Sequence, residues 1–307
     1  MKYKVLITAP YFQLVVDRYR ETFTSHSIEV VVPLVNERMS EEELIPLVYN
    51  IHGIICGDDR ITERVLANAP YLKVIVKWGT GIDSIDQEAA AKRGIPVRNT
   101  PNAFTEPVAD TILSSILCFA RGTIDLDKKV RKGIWEKKLN KALSECTLGV
   151  VGMGNIGQAV IKRAEAFGMK ILANDIVEKP FNFMVSLEKL LRESDFVALC
   201  TDLNPTSYHL MNKKTLSMMK PTAYLINASR GPLIEERALI DTLENGRLAG
   251  AALDVFEHEP LPHNHPFKTM DNVILSPHNA NSSLQAWERV HANSVKHLIE
   301  VLKESHA

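Results

Sequence analysis

The chain carries little that would tie it to a membrane, a nucleic acid, a metal or an oxidising compartment. Its four cysteines, Cys56, Cys118, Cys146 and Cys200, are far apart and form no C-x-x-C pair. That spacing offers neither a zinc site nor a redox couple, so they are expected to be small buried apolar residues in a reducing compartment. No apolar run of about 20 residues exists to cross a bilayer. The opening Met1-Lys2-Tyr3-Lys4-Val5-Leu6-Ile7-Thr8 has the short apolar stretch of a strand, not the long one of a signal peptide, which predicts a cytoplasmic protein. Net charge is also lacking. The 36 basic side chains meet 37 acidic ones, a balance of −1, whereas binding nucleic acid by phosphate neutralisation needs an excess of cations. A hydrophobic fraction of 45% with 24% charged residues over 307 residues is that of a globular chain long enough for two cores.

What is present is organised around Thr147-Leu148-Gly149-Val150-Val151-Gly152-Met153-Gly154-Asn155-Ile156-Gly157. A β-branched apolar run breaks into glycines spaced G-x-G-x-x-G, and an amphipathic helical pattern follows from Gln158 to Phe167, stopped by Gly168. In such a strand–turn–helix Gly152 permits the tight turn, Gly154 lets backbone approach a pyrophosphate and Gly157 lets the helix lie close on its strand. The helix N-terminus adds N–H groups and a partial positive charge for the phosphates. A second apolar run ends at Asp175, about twenty residues past the glycines, where a carboxylate takes the ribose hydroxyls of NAD. A carboxylate there repels a 2′-phosphate and Ile176 is no arginine, so NAD is favoured over NADP. Lys179 is near enough in sequence to keep NADP from being excluded.

Short apolar runs alternate with helical patterns along the whole chain. Strands are expected at 5–7, 28–32, 53–56, 72–76 and 95–97, then at 147–151, 170–174, 196–199, 223–227, 250–253 and 273–275. Ser40-Glu41-Glu42-Glu43 reads as a capping box, Thr62 as the cap of a helix through Ala67, and 85–93 as a helix stopped by Gly94. After a break at Asn99-Thr100-Pro101 a long helix runs from about Thr105 to Ala120, with Glu106 and Pro107 in its first turn and Val108, Ile112, Ser115, Ile116 and Phe119 on one stripe. The segment from Arg121 to Trp135 is more polar, 235–245 is a helix, and 282–304 is one long helix. Such alternation builds parallel sheets with helices on their faces. The expected fold is α/β, with two Rossmann-like doubly wound parallel-sheet domains and the active-site cleft between them. The substrate domain is discontinuous, residues 1–98 with 281–307, because the last helix is expected to return to it; residues 99–280 form the NAD-binding Rossmann domain.

Ligands in open parallel sheets gather beyond the carboxyl ends of the strands, and three of those ends are rich in reactive side chains. Ala228-Ser229-Arg230-Gly231 follows one, Asp254-Val255-Phe256-Glu257-His258-Glu259-Pro260 the next, and Ser276-Pro277-His278-Asn279-Ala280 the last. In the first domain Trp78-Gly79-Thr80-Gly81-Ile82-Asp83 follows a strand. With Asn99-Thr100-Pro101 and the glycine fingerprint, these motifs resemble the D-isomer-specific 2-hydroxyacid dehydrogenase family, particularly its phosphoglycerate-dehydrogenase-like branch. They run in family order from about residue 53 to residue 283, most of the chain.

The resemblance implies an NAD-dependent, D-specific oxidoreductase that passes a hydride between the nicotinamide and C2 of a small 2-hydroxy or 2-oxo acid. It implies a homodimer formed through the nucleotide-binding domains. His278 becomes the acid/base, Glu259 the partner that orients its imidazole, and Arg230 the planar fork that grips the substrate carboxylate. Gly79, Thr80, Arg230 and His278 are the implied substrate contacts. The implied cofactor contacts are Thr80, Gly152, Gly154, Asn155, Ile156, Gly157, Asp175, Thr201, Ala228, Ser229, Arg230, Asp254, His278 and Ala280, with Asp254 orienting the nicotinamide amide. No metal is expected. His258, His263 and His265 share a proline-rich loop without helical or C-x-x-C ligand geometry, so a solvated, flexible loop is the expectation.

Three departures from the family pattern bear on substrate. Phosphoglycerate dehydrogenases commonly place an Arg-Ser pair for the substrate phosphate where this chain has Gly57-Asp58-Asp59-Arg60, and two carboxylates would repel that phosphate. Cys200-Thr201-Asp202 alters the adenine wall, and Asn279-Ala280-Asn281 replaces a common glycine after Pro277-His278. Thr80 stands where a phosphite-oxidising relative would place a lysine. A phosphate-free acid is therefore expected. The second reading is a non-catalytic NAD(H)-sensing, corepressor-like protein on the same fold, since such relatives keep the same triad; the lack of a basic patch weighs against it. A methyltransferase with a related glycine loop fails on Arg230, Glu259, His278 and Asp175.

Overall fold

The computed structural model describes residues 2–304; Met1 and residues 305–307, counted above with the first domain, lie outside the described residues. Two compact units divide the chain, one running through Phe104 and resuming at Ser283, the other spanning Thr105–Ser282. The divisions fall a few residues beyond the breaks read at 98 and 280. Phe104 explains the first of these, because it is buried against Trp78 (ring centroids 6.0 Å apart) and so belongs with the first unit.

The first unit runs β1 (Tyr3–Ile7), α1 (Pro10–Gln13), α2 (Arg20–Ser25), β2 (Ile28–Val31), α3 (Glu41–Val48), β3 (Gly53–Cys56), α4 (Glu63–Ala67), β4 (Val74–Lys77), α5 (Gln87–Lys92) and β5 (Val97–Arg98). All five strands are parallel, in the order β2-β1-β3-β4-β5, with Val5 opposite both Val30 and Gly53. The order reverses between β1 and β3, so the loops after Ile7 and Cys56 diverge from one edge. Ser40 makes both arms of its capping box with Glu43, and Thr62 accepts from the Val65 N–H. The helix read over 85–93 starts at Gln87, because Asp86 caps α5 through the Ala89 N–H at 2.9 Å. β4 begins later than the apolar run because the Leu72 N–H turns back to the Ala69 carbonyl. β5 is short because Pro96 has no N–H for the ladder and contributes only its carbonyl, to Ile75. The helices α1 and α2 are too short to show a period in sequence.

The second unit runs α6 (Thr105–Arg121), α7 (Thr123–Arg131), β6 (Thr147–Val151), α8 (Asn155–Ala166), β7 (Lys170–Asn174), α9 (Leu187–Glu193), β8 (Phe196–Leu199), α10 (Lys213–Leu216), β9 (Tyr224–Asn227), α11 (Glu236–Glu244), β10 (Gly250–Leu253) and β11 (Val273–Leu275). Its six parallel strands lie in the order β11-β10-β9-β8-β6-β7. Beyond β7 a single parallel bridge joins Ala173 to Met184, so the third strand of the usual dinucleotide order shrinks to one residue pair. The stripe Val108, Ile112 and Ile116 of α6 is buried, and Phe119 stacks on Tyr224 at 4.4 Å. The helix α7 arises in the segment read only as polar. It buries no residue and is laced by Lys129–Asp125 and Arg131–Asp127 pairs four apart.

A last helix, α12 (Leu284–Glu304), packs on β3 and β4 of the first unit. A Cβ on Gly53 would lie 2.7 Å from Leu298 Cδ1, so the helix sits as close as the missing side chain allows. The Tyr3 hydroxyl donates to the Leu302 carbonyl at 2.7 Å. Trp78, just past β4, donates its indole N–H to His291 Nδ1 at 3.0 Å, within a ring cluster that includes Tyr11 and Trp287. An indole nitrogen only donates, so Nδ1 must accept and the His291 proton sits on Nε2. Burial pushes the His291 pKa below its ordinary value of 6.5, with Glu288 opposing and Arg18 assisting.

A histidine kept neutral by folding stabilises above its unfolded pKa, and that stability is lost as pH falls through about 6.5, because the unfolded chain takes up the proton first. We expect His291→Gln, which keeps an acceptor for Trp78 but cannot ionise, to flatten this loss in urea midpoints measured from about pH 7.5 to about 5.5. Burial also pushes the His52 pKa down, so the flattening is partial. An unchanged slope in the variant would clear His291.

Candidate active site

β6 ends at Val151 and the chain turns at Gly152, with φ of +98°, into α8. A Cβ on Gly152 would stand 2.6 Å from the Cys200 carbonyl oxygen, and one on Gly157 would stand 2.0 Å from that of Gly152. A Cβ on Gly154 would meet nothing within 4 Å. Two glycines are thus closed in by backbone while the middle one faces open space. No side chain caps α8 at Gly154, which leaves its first turn to an anionic group. At the end of β7, Asp175 accepts from the Met153 N–H at 2.7 Å and the Val177 N–H at 2.9 Å. One N–H at each oxygen leaves lone pairs for ribose hydroxyls. The open cradle, the uncapped helix end and the acid beside them fit a dinucleotide.

The next strand ends supply polar groups along the same edge. After β8, Thr201 is half-buried. After β9, the Ser229 hydroxyl donates to the Leu199 carbonyl at 2.8 Å, the Asn227 amide to the Arg230 carbonyl at 2.8 Å, and Arg230 Nη1 to the Ser229 carbonyl at 2.9 Å. After β10, Asp254 is buried. Its oxygens accept the N–H groups of Asn279 and Ala280 at 2.9 Å each, and its carbonyl accepts that of His278 at 2.7 Å. The carboxylate expected to orient a nicotinamide therefore also pins the turn after β11. That turn holds His278 at φ +52°, a left-handed conformation that a non-glycine residue keeps only when its surroundings enforce it. His278 Nδ1 meets Glu259 Oε2 at 2.9 Å, and Glu259 Oε1 accepts from the Phe256 N–H at 2.9 Å. A carboxylate only accepts, so Nδ1 carries the proton that this contact donates.

Behind this dyad lies a network that sequence reasoning missed. Glu236, at the start of α11, accepts from the Glu257 N–H at 2.7 Å and meets His265 Nε2 at 3.2 Å; Glu257 meets His209 Nε2 at 2.8 Å. Burial holds the Glu236 carboxyl above its ordinary range despite these donors. The histidine loop is therefore not solvated throughout. His258 and His263 are exposed, but His265 is tied to a buried acid. Among the described residues no group of His, Cys, Asp and Glu could hold a metal. Burial pushes the Cys56 and Cys200 thiols up to about 12, which makes them inert packing residues, whereas Cys118 is half-buried.

In the first unit the loop after β4 is clamped from one side. The Thr100 N–H donates to the Gly79 carbonyl at 2.8 Å, and the Thr80 hydroxyl donates to the Thr100 carbonyl at 3.0 Å. The two acids after β3 differ from the expectation of a repulsive pair. Asp59 is fully buried and accepts from Thr8 Oγ1 (2.6 Å), Met39 N (2.7 Å) and Gly57 N (2.9 Å). Asp58 pairs with the buried Lys77, whose ammonium also donates to the Gly57 carbonyl at 2.6 Å. One acid is structural and the other is neutralised. The pair is therefore not two bare carboxylates, and the lysine beside them is committed to Asp58 and Gly57.

Comparison with known proteins bears on what this edge does. Residues 113–280 match the family model described as D-isomer specific 2-hydroxyacid dehydrogenase, NAD binding domain. A glyoxylate reductase of Thermofilum pendens is 41% identical over 86% of this chain and 82% of its own length, and one of Thermococcus onnurineus is 39% identical over 94% and 89%. The crystal structure of D-lactate dehydrogenase from Aquifex aeolicus, complexed with NAD and lactic acid, superposes with a TM-score of 0.87 at 28% identity, covering 98% of this chain and 96% of that one.

Gly231 follows Arg230 and packs against the loop that carries Glu259. A Cβ there would lie 1.9 Å from the Phe256 carbonyl carbon. Backbone cannot yield as a side chain does, so we expect Gly231→Ala to cost about 1–3 kcal/mol. Hydrogen exchange is expected to quicken at Phe256 and Glu257 and to stay unchanged in the first unit. Unaltered protection at those two amides would contradict the packing argument.

Proposed function

Because the chain belongs to the D-isomer-specific 2-hydroxyacid dehydrogenase family, we propose that its substrate is a small, phosphate-free 2-oxo acid, glyoxylate foremost, reduced at C2 with NADH. The observation that carries this reading is the His278–Glu259 contact of 2.9 Å at the strand ends of a dinucleotide sheet. Glyoxylate is favoured because the glyoxylate reductases of T. pendens and T. onnurineus are 41% and 39% identical. A phosphate is disfavoured because Lys77 is committed to Asp58 and Gly57.

When bound, the dinucleotide supplies the hydride. We assign Gly152, Gly154, Asn155, Ile156 and Gly157 to its pyrophosphate, Asp175 to its ribose, and Thr201, Ala228, Ser229, Asp254 and Ala280 to the rest of its length. His278 hands a proton to the carbonyl oxygen as C2 is reduced, and takes one in the reverse direction. Glu259 holds the imidazole through Nδ1 and fixes its orientation. Arg230 grips the substrate carboxylate and polarises the carbonyl. For the first unit, the proposal assigns Gly79 and Thr80 to that carboxylate.

The proposal extends to a homodimer in a reducing, cytoplasmic setting. Unpaired Cys56, Cys118, Cys146 and Cys200 suit that compartment. In and after α7 the residues Ile124, Val130, Ile134, Trp135 and Leu139 are exposed, Trp135 at 87% and Leu139 at 100%, an apolar surface of the kind that subunit contacts cover. Light scattering is expected to give twice 34.3 kDa, and Trp135→Glu with Leu139→Glu to give the single mass; a wild-type monomer at working concentration would refute the dimer.

NADH oxidation with glyoxylate, hydroxypyruvate, phenylpyruvate and phosphohydroxypyruvate tests the reaction. We expect turnover of glyoxylate, lowered about 10²–10⁴-fold in His278→Ala as for a lost general acid. Turnover of phosphohydroxypyruvate alone would overturn the substrate assignment. Tight NADH binding with no turnover of any acid would favour the sensor reading instead.

A further inference from the structure

Met153, between the first two glycines of the cradle, is held from both ends of its residue. Its N–H donates to Asp175 Oδ2 at 2.7 Å, and its carbonyl accepts from Lys179 Nζ at 2.8 Å. The same carbonyl also accepts from Gln158 Nε2 at 3.0 Å. The carbonyl is therefore satisfied without Lys179, and the lysine is surplus to the turn it touches. Lys179 as a whole is half-buried, and a lysine in such a setting can lay its apolar stem on the protein while keeping its charged head within reach of water. Lys179 and Asp175 thus flank one residue with opposite charges, on the edge where a carboxylate meets the ribose 2′-hydroxyl.

We propose that Lys179 forms a subsite for a 2′-phosphate on the adenosine ribose, so that the chain accepts NADP(H) as a second cofactor beside NAD(H). The proposal rests on the dinucleotide reading of the glycine cradle. An unaccompanied carboxylate at this position repels the added dianion. Here a cation beside it answers that repulsion, and can exchange a neutral carbonyl for a charged phosphate while Gln158 keeps the carbonyl bonded. Asp175 stays charged in this arrangement. Burial alone would raise its carboxyl pKa, but the Val177 and Met153 N–H groups and the Lys179 ammonium bring it below its ordinary value. The subsite therefore takes a ribose hydroxyl through Asp175 or a phosphate through Lys179.

Calorimetric titration with adenosine 2′,5′-bisphosphate and with 5′-AMP reads this subsite without any turnover. The wild type is expected to bind both within about tenfold of each other. Lys179→Ala is expected to weaken the bisphosphate about tenfold, the worth of one charge-assisted contact, while leaving 5′-AMP within about twofold. Lys179→Arg is expected to restore it. KM for NADPH should follow the bisphosphate and KM for NADH the 5′-AMP. Equal losses on both nucleotides in Lys179→Ala, or refusal of the bisphosphate by a wild type that binds 5′-AMP, would overturn the subsite and leave the dinucleotide reading standing. Failure to bind either nucleotide would overturn both.

Discussion

The buried carboxylate of Asp254 is the constraint on which the edge carrying His278 and Glu259 depends. It sits at the end of β10 and reaches across to the turn after β11, where Asn279 and Ala280 give it their N–H groups and its own carbonyl takes that of His278. Without it the buried Ala280 N–H would go unmet, at about 1–3 kcal/mol, and the part-buried Asn279 N–H would lose its partner. The greater consequence is geometric. A histidine at φ +52° relaxes to an ordinary conformation unless something prevents it. Three backbone N–H groups donating to one aspartate are that restraint, and the turn they hold places the imidazole against Glu259.

The first unit repeats the device in a different sheet. Asp59 follows β3 as Asp254 follows β10, and it too is buried and satisfied by neutral donors from neighbouring segments, here Thr8, Met39 and Gly57. Burial raises its carboxyl pKa above the ordinary value, and those donors and Lys77 only partly offset the rise. In a parallel sheet every strand leaves by the same edge, so loops must be tied to one another there or lie loose. A short acid with two acceptor oxygens is an economical tie, because it can bond two or three backbone N–H groups that no strand partner serves.

Much of this was legible in sequence, for reasons that can be stated residue by residue. Gly152, Gly154, Gly157 and Asp175 are close along the chain and constrained by a turn, so their spacing alone encodes the cradle. Ser40 with Glu43 is local in the same way. The dyad of His278 and Glu259 is not local, but both follow strands of one parallel sheet, and that topology brings such positions to a common edge. What escaped notice lacked any such rule. Glu236 and His265 meet because a helix start and a proline-rich loop happen to abut, and the same holds for His209 and Glu257. The helix α7 escaped because its stability lies in surface charge pairs and not in an apolar stripe. Asp58 and Asp59 were misread as equals because the sequence shows two carboxylates and not which way each faces.

That last error points to how the molecule manages charge near its ligand edges. Four acids there are answered close by: Asp58 by the Lys77 ammonium, Asp175 by N–H groups and Lys179, Asp254 by two N–H groups, Glu236 by His265. An unanswered carboxylate beside a site for a carboxylate substrate would repel it by several kcal/mol in a half-buried setting. Answering the acids one by one removes that penalty without changing the net charge of the chain, which stays near zero at −1. It also means that any single lysine here has a local effect out of proportion to its weight in the total. Lys77 is consumed by its partner and the loop it supports. Lys179 duplicates a bond that Gln158 already makes, and a duplicated bond is one that can be given up to a ligand.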